Sequence, residues 1–157
     1  MKKLTDFGIE HVGYLVRDLD AAVEHFREMY GIEDWSLYDF RPTRAWSYGK
    51  EVTNYHLKIA MASVSPTSSG IELIQHISGE GVHQDWIAQG HHGMHHIAFK
   101  VDDFDYWREF FLKKGAKFVF ESETEDEING YRRCFYADDP EYGMVYEIKE
   151  KNYFRNK

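Results

Sequence analysis

Apolar and polar residues alternate from Ile9 to Val16. After Asp18 the apolar spacing changes to three and four, at Leu19, Ala22, Val23, Phe26 and Tyr30. A period of two predicts a half-buried strand, and a period near 3.6 predicts a helix, here capped by Asp18 and stopped by Gly31. Trp35 to Phe40 reads as a second strand. Tyr55 to Val64, with Leu57, Ile59 and Met61 on one face, and Ile71 to His76 read as two more, joined by the turn Ser65 to Gly70. The stretch Arg41 to Lys50 has no period and predicts a long loop, whose aromatic and arginine side chains suit either a binding loop or a packed cover.

The same plan then recurs. Met94 to Val101 predicts a strand, and Asp103 caps a helix over Phe104 to Lys114, with Phe104, Trp107 and Phe111 at helical spacing and Gly115 after it. Ala116 to Glu121, Tyr131 to Ala137 and Met144 to Lys149 supply three strands. The acid-rich stretch Ser122 to Gly130 predicts an exposed hairpin loop. Gly79 to Gly93 reads as a linker containing a short helix over Val82 to Ala88, and Lys151 to Lys157 as a polar tail.

Shifting the chain by 85 positions lays His96 on His11, and the closing strands match at an offset of 75, which lays Glu147 on Glu72. A unit of this length is small for an independent core, so the two halves are expected to share one. The predicted fold is α+β, with two βαβββ modules forming a curved mixed sheet around a central cleft. It is a single domain over residues 1–157, with module one at about 7–78, the linker at about 79–93, module two at about 94–150 and the tail at 151–157.

The repeat gives each module one histidine at the start of its first strand and one glutamate within its last. A carboxylate inside an apolar strand is costly unless it is paired or bound to a metal. His11, Glu72, His96 and Glu147 are therefore the candidate ligands of one divalent ion, of the kind of zinc, nickel, cobalt, manganese or iron. Positions left for water or substrate would make the centre catalytic rather than structural. His91, His92 and His95 have no repeat partner and are expected on a surface loop, with His95 pointing away from its neighbour. His25, His56, His76 and His83 are expected as surface or packing residues.

Composition narrows the classes. A net charge of −8 disfavours nonspecific nucleic-acid binding, which needs basic groups to neutralise phosphates. The single cysteine, Cys134, excludes an internal disulfide and reads as a packed thiol in a reducing compartment. No apolar run reaches membrane-spanning length and the first residues lack the apolar core of a signal peptide, so a cytoplasmic location without membrane partners is expected.

Four fragments, Ile9-Glu10-His11-Val12-Gly13, Ile71-Glu72-Leu73, His95-His96-Ile97-Ala98-Phe99 and Tyr146-Glu147-Ile148, occur in an order and spacing that resemble the vicinal oxygen chelate superfamily. Its members include glyoxalase I, methylmalonyl-CoA epimerase, extradiol dioxygenases and bleomycin-resistance proteins. The resemblance covers roughly residues 7 to 150. It implies a metal held by His11, Glu72, His96 and Glu147, a homodimer, and a small-molecule substrate such as an acyl-CoA or other thioester. The chemistry implied is movement of a proton next to a carbonyl through a metal-stabilised enolate or enediolate.

The first strand and helix and the doubled His95-His96 look like the epimerases. Glu72 stands where those enzymes carry glutamine and glyoxalase I carries glutamate. The epimerases' separate glutamate base has no match in Thr53-Asn54-Tyr55-His56, with only Glu51 nearby, which makes Glu72 or Glu147 the expected base. An epimerase-like enzyme is the leading expectation. A glyoxalase I-like lyase is the alternative, followed by an iron-dependent dioxygenase using His11, His96 and Glu147, and a non-catalytic ligand-sequestering module.

Overall fold

The computed structural model describes residues 1–66 and 69–155. Its elements, after a short helical turn at Leu4–Asp6, are β1 (His11–Leu15), α1 (Leu19–Tyr30), β2 (Ser36–Phe40), β3 (Arg44–Ser47), β4 (Lys50–Val52), β5 (His56–Ser63), β6 (Gly70–Ser78), α2 (Val82–Ala88), β7 (Gly93–Val101), α3 (Phe104–Lys113), β8 (Lys117–Asp126), β9 (Gly130–Asp139) and β10 (Met144–Glu150). All ten strands join one mixed sheet in the order β2-β5-β6-β1-β7-β10-β9-β8-β3-β4.

The first eight strands of that order are two matching halves that meet at the antiparallel pair β1–β7. In each half the first strand also runs parallel to the last, β1 with β6 and β7 with β10. The repeat in the sequence thus appears as a pseudo-two-fold relation, and its axis passes between the strands that carry His11 and His96.

Strand alternation divides the core by face. On the outer face α1 covers Ala60, Ala62, Ile71 and Leu73 with Leu19 and Val23, while α3 covers Phe99, Val101, Phe135 and Ile148 with Phe104, Trp107 and Phe111. On the inner face, Leu15, Leu57, Ile59, Ile74, Phe120 and Tyr136 pack against Ala45 and Val82. Phe135 and Tyr136 therefore serve opposite sides of β9, one beneath a helix and one toward the cleft.

Both long helices begin as their sequences predict, because an aspartate accepts a bond from an otherwise unpaired first-turn amide. Asp18 Oδ1 accepts from Ala21 N at 2.9 Å, and Asp103 Oδ1 from Tyr106 N at 3.2 Å. Asp18→Ala is expected to cost about 1 kcal/mol, read as a lower denaturant midpoint at unchanged slope.

Two sequence expectations about the strands need correction. The expected loop Arg41 to Lys50 contains β3 and runs into β4, and β3 leaves its own module to pair with β8, at the far edge of the other half. Its backbone bonds are supplied by a strand some 80 residues away, so no local period marks it. The expected exposed loop Ser122 to Gly130 is mostly strand: β8 and β9 stay paired from Lys117↔Asp138 to Asp126↔Gly130, with Ser122 and Thr124 buried on the inner face. Pairing across the sheet overrides the acidic composition there. The tail also takes part, since Tyr153 bridges Tyr131, with Tyr131 N donating to Tyr153 O at 2.6 Å. Residues 67 and 68 of the expected turn and residues 156 and 157 of the tail lie outside the described residues. No helix among the described residues is long and apolar enough to cross a membrane.

Candidate metal centre

Two rows of paired residues across the middle of the sheet build the site. One runs Gly70–His11–Ala98–Glu147 and the other Glu72–Gly13–His96–Val145. Each row places a histidine and a glutamate two strands apart with a small residue between them. Neighbouring strands lie about 4.8 Å apart, so the two side chains lean toward each other over the small residue. Ala98 and Gly13 are repeat counterparts, 85 positions apart, so the repeat supplies the spacers as well as the four polar groups.

The four side chains converge. His11 Nε2 lies 3.3 Å from His96 Nε2, 3.3 Å from Glu72 Oε1 and 3.1 Å from Glu147 Oε2. His96 Nε2 lies 3.3 Å from Glu72 Oε1 and 3.1 Å from Glu147 Oε2. All four donor atoms lie within 4.8 Å of one another, and all four residues are buried. Donors each about 2.1 Å from a common ion stand roughly 3.0 to 3.4 Å apart when adjacent, which the five separations match. Imidazole nitrogen with carboxylate oxygen is the donor chemistry of a divalent first-row ion, so the set can hold one.

Without an ion, the charges answer one another. Burial by itself would lower the His11 pKa, but the Glu72 carboxylate and the hydrogen bonds that His11 donates to Glu10, Glu147 and Glu72 carry it up to about 12. Burial likewise opposes ionisation of Glu72, yet the facing histidines bring it down to about 2, and Glu147 is held well below the usual carboxylate range for the same reason.

The stability consequence has a definite sign. An unfolded histidine titrates near 6.5, so the His11 contribution is complete below about pH 6.5 and is lost as pH rises toward about 12. Glu72 contributes above about pH 4.3 and loses its share as pH falls toward about 2. Metal binding must displace the histidine protons, so its affinity rises with pH. Melting curves are expected to show the metal-free protein losing stability from pH 6.5 to 9 while the gain on adding a divalent ion grows over the same interval.

Neighbouring side chains orient the two histidines. His11 Nδ1 lies 3.4 Å from Glu10 Oε1, which also accepts from Lys149 Nζ at 2.6 Å. A carboxylate on the outer nitrogen fixes the ring and the tautomer that leaves Nε2 for an ion. His96 Nδ1 lies 2.9 Å from His95 Nδ1, and burial, aided by the neighbouring His96 charge, keeps His95 neutral.

His95 thus corrects the sequence expectation that it lies on a surface loop facing away from His96. It is 6% exposed, and the β1–β7 register passes from Gly13↔His96 to Tyr14↔Met94, leaving His95 as the extra residue of a bulge. A bulge suspends strand alternation, so adjacent side chains share the buried side. His95 packs on Trp86, His83 and Tyr136.

His83, expected as surface or packing, is fully buried in α2. Its Nδ1 lies 2.7 Å from the Tyr55 hydroxyl and its Nε2 3.0 Å from that of Tyr136, whose ring lies against His96. Neither histidine has a repeat partner, which is why repeat arithmetic misses both. Cys134 packs against the inner core with Sγ 3.1 Å from Ser122 Oγ, and burial pushes its thiol up.

Glu72 and Glu147 line a cleft of about 850 Å³ together with Tyr38, Phe40, Ile59, Phe120, Lys100 and Lys149. Of the aromatic residues in and before the expected loop, Tyr38 and Phe40 line this cleft. Trp46 instead lies beneath the Arg44 guanidinium, whose carbon is 4.8 Å from the ring centre.

Comparison with known proteins agrees with this architecture. Residues 10–135 match the model of the glyoxalase/bleomycin resistance protein/dioxygenase superfamily. A 2-epi-5-epi-valiolone epimerase from Actinomyces sp is 29% identical over 159 residues, covering 89% of this chain and 77% of that protein. Methylmalonyl-CoA epimerase from Mycobacterium tuberculosis aligns with a TM-score of 0.59 at 20% identity, over 92% of this chain and 87% of the other. A Streptomyces coelicolor methylmalonyl-CoA epimerase in complex with 2-nitronate-propionyl-CoA aligns at 0.56 and 21% identity, over 91% and 96%. With the matched span reaching from the strand that carries His11 into β9, the chain belongs to the glyoxalase/bleomycin resistance protein/dioxygenase superfamily.

Proposed function

We propose that the protein is a divalent-metal-dependent epimerase or isomerase that moves a proton on the carbon next to a carbonyl, with His11, Glu72, His96 and Glu147 holding the ion. The carrying observation is the convergence of four buried donor atoms, two of them on glutamates that line an open cleft. A divalent ion there would polarise carbonyl oxygen and lower the cost of an enolate or enediolate.

Contacts to the histidines use Glu72 Oε1 and Glu147 Oε2, so each carboxylate has a second oxygen for a proton. The two glutamates come from strands on either side of the pseudo-two-fold axis. A carbon held between them can lose a proton to one and regain it from the other on the opposite face, which inverts its configuration. Thr53 to His56 carry no carboxylate and Glu51 is tied to Arg44 at 3.1 Å, which supports Glu72 and Glu147 as the proposed bases.

The relatives named as epimerases support this class, and the acyl-CoA complexes among the structural neighbours make an acyl-CoA or other thioester one substrate to test. Glu72, a carboxylate where the epimerases carry glutamine, favours a second reading as a glyoxalase I-like lyase acting on a thiol adduct. The deciding experiment loads the protein with each candidate metal and follows solvent deuterium into methylmalonyl-CoA and into related ketones. Metal-dependent exchange at the α-carbon is expected. Absence of bound metal in protein purified without a metal-affinity tag would refute the reading, and lactoyl-thioester formation from methylglyoxal and a thiol would select the lyase.

A further inference from the structure

Lys100 on β7 and Lys149 on β10 are register partners in a parallel pair, and both line the cleft. Like charges directly opposite one another on a sheet face cost stability. Lys149 Nζ is matched by Glu10 Oε1 at 2.6 Å. Among the described residues no carboxylate stands within ion-pair distance of Lys100, although Asp and Glu outnumber Lys and Arg by 27 to 19 along the chain. The other two cations of the cleft wall are already engaged, Arg132 with Asp126 and Arg133 with Glu150 and Asp105. Lys100 is therefore the cation of the cleft wall that has no carboxylate of its own among the described residues.

From this unbalanced pair we infer that Lys100 and Lys149 bind a carboxylate carried by the substrate, so that the substrate class is a carbonyl compound with a second, anionic end. The inference rests on the metal-dependent reading above and adds to it a determinant of specificity. Lys149 follows Glu147 by two residues on the same face of β10, which sets its backbone about 6 to 7 Å along the strand from that of Glu147. The carbonyl end would meet the metal centre while the anionic end, a few bonds away, meets the lysines. A single carboxylate would give Lys100 the partner it lacks.

The test compares two 2-oxo acids on the metal-loaded protein by calorimetry. Pyruvate offers only the oxygens that approach a metal, and 2-oxoglutarate adds a carboxylate at the far end. Wild type is expected to bind 2-oxoglutarate at least about tenfold more tightly than pyruvate, on the scale of one charge-assisted contact. Lys100→Met should reduce that preference to about twofold or less, with pyruvate affinity and metal content unchanged. Lys149→Gln, whose amide can still donate to Glu10, should weaken the preference as well.

Equal affinity of wild type for the two acids, or a preference that survives in both variants, overturns the inference. So does a parallel loss of metal in Lys100→Met, which would make the lysine a structural element of the centre. If wild type takes up no metal at all, it is the reading of the centre itself that has failed.

Discussion

His96→Ala is expected to lower divalent-metal affinity by at least about a hundredfold, since it removes one of four donors and with it a large part of the binding free energy. His96 Nε2 is within 3.3 Å of His11 Nε2, Glu72 Oε1 and Glu147 Oε2, and the residue is fully buried, so no solvent-facing group is placed to replace it. The variant also leaves two buried carboxylates facing a single imidazole. Loss of one partner from a buried ionic cluster costs about 3 to 5 kcal/mol, so the metal-free variant should melt well below metal-free wild type. Metal analysis after dialysis, with thermal melts in chelator, reads both effects. Wild-type metal content in the variant would show that the four groups do not act as one ligand set.

Gly13→Ala is expected to disable the same centre without altering a ligand. A β-carbon built on Gly13 would stand 2.1 Å from His96 Cε1 and 2.2 Å from His96 Nε2, inside the space the ring occupies. The obstruction is the imidazole itself, which is wedged between its contact to His95 and its contacts to Glu72 and Glu147. The ring must rotate or β1 must move away from β7, and either change takes Nε2 from the other donors. A misplacement of about 1 Å is enough to cost roughly a hundredfold in function, and metal affinity should fall by a comparable factor. Overpacking adds about 1 to 3 kcal/mol of lost stability. The measurement is a cobalt titration followed by visible absorption, and an unchanged titration with normal melting would show that the centre tolerates the methyl.

The need for glycine at position 13 is not sterically evident from its own strand. It arises because His96, 83 residues later in the chain, sits opposite it in the β1–β7 register.

The sequence determined the repeat, the two capped helices, the strands that alternate cleanly and the four polar residues of the centre. Each of these is written in local period or in self-similarity. His11 and His96, Glu72 and Glu147 could be paired before any fold was known because the two modules descend the same path through the sheet.

Tertiary structure alone decided what depends on strands distant in sequence. It moved β3 across to the edge of the other module, kept β8 and β9 paired through an acidic stretch, and placed Tyr153 against Tyr131. It also turned His95 inward. Strict alternation places neighbours on opposite faces, but the pairing of β7 with β1 inserts one extra residue at that point, and the choice of partner strand is a property of the whole sheet. His83 and the lysine pair follow the same rule, since a helix packed into the cleft and a parallel register bring together groups for which no spacing along the chain gives a signal.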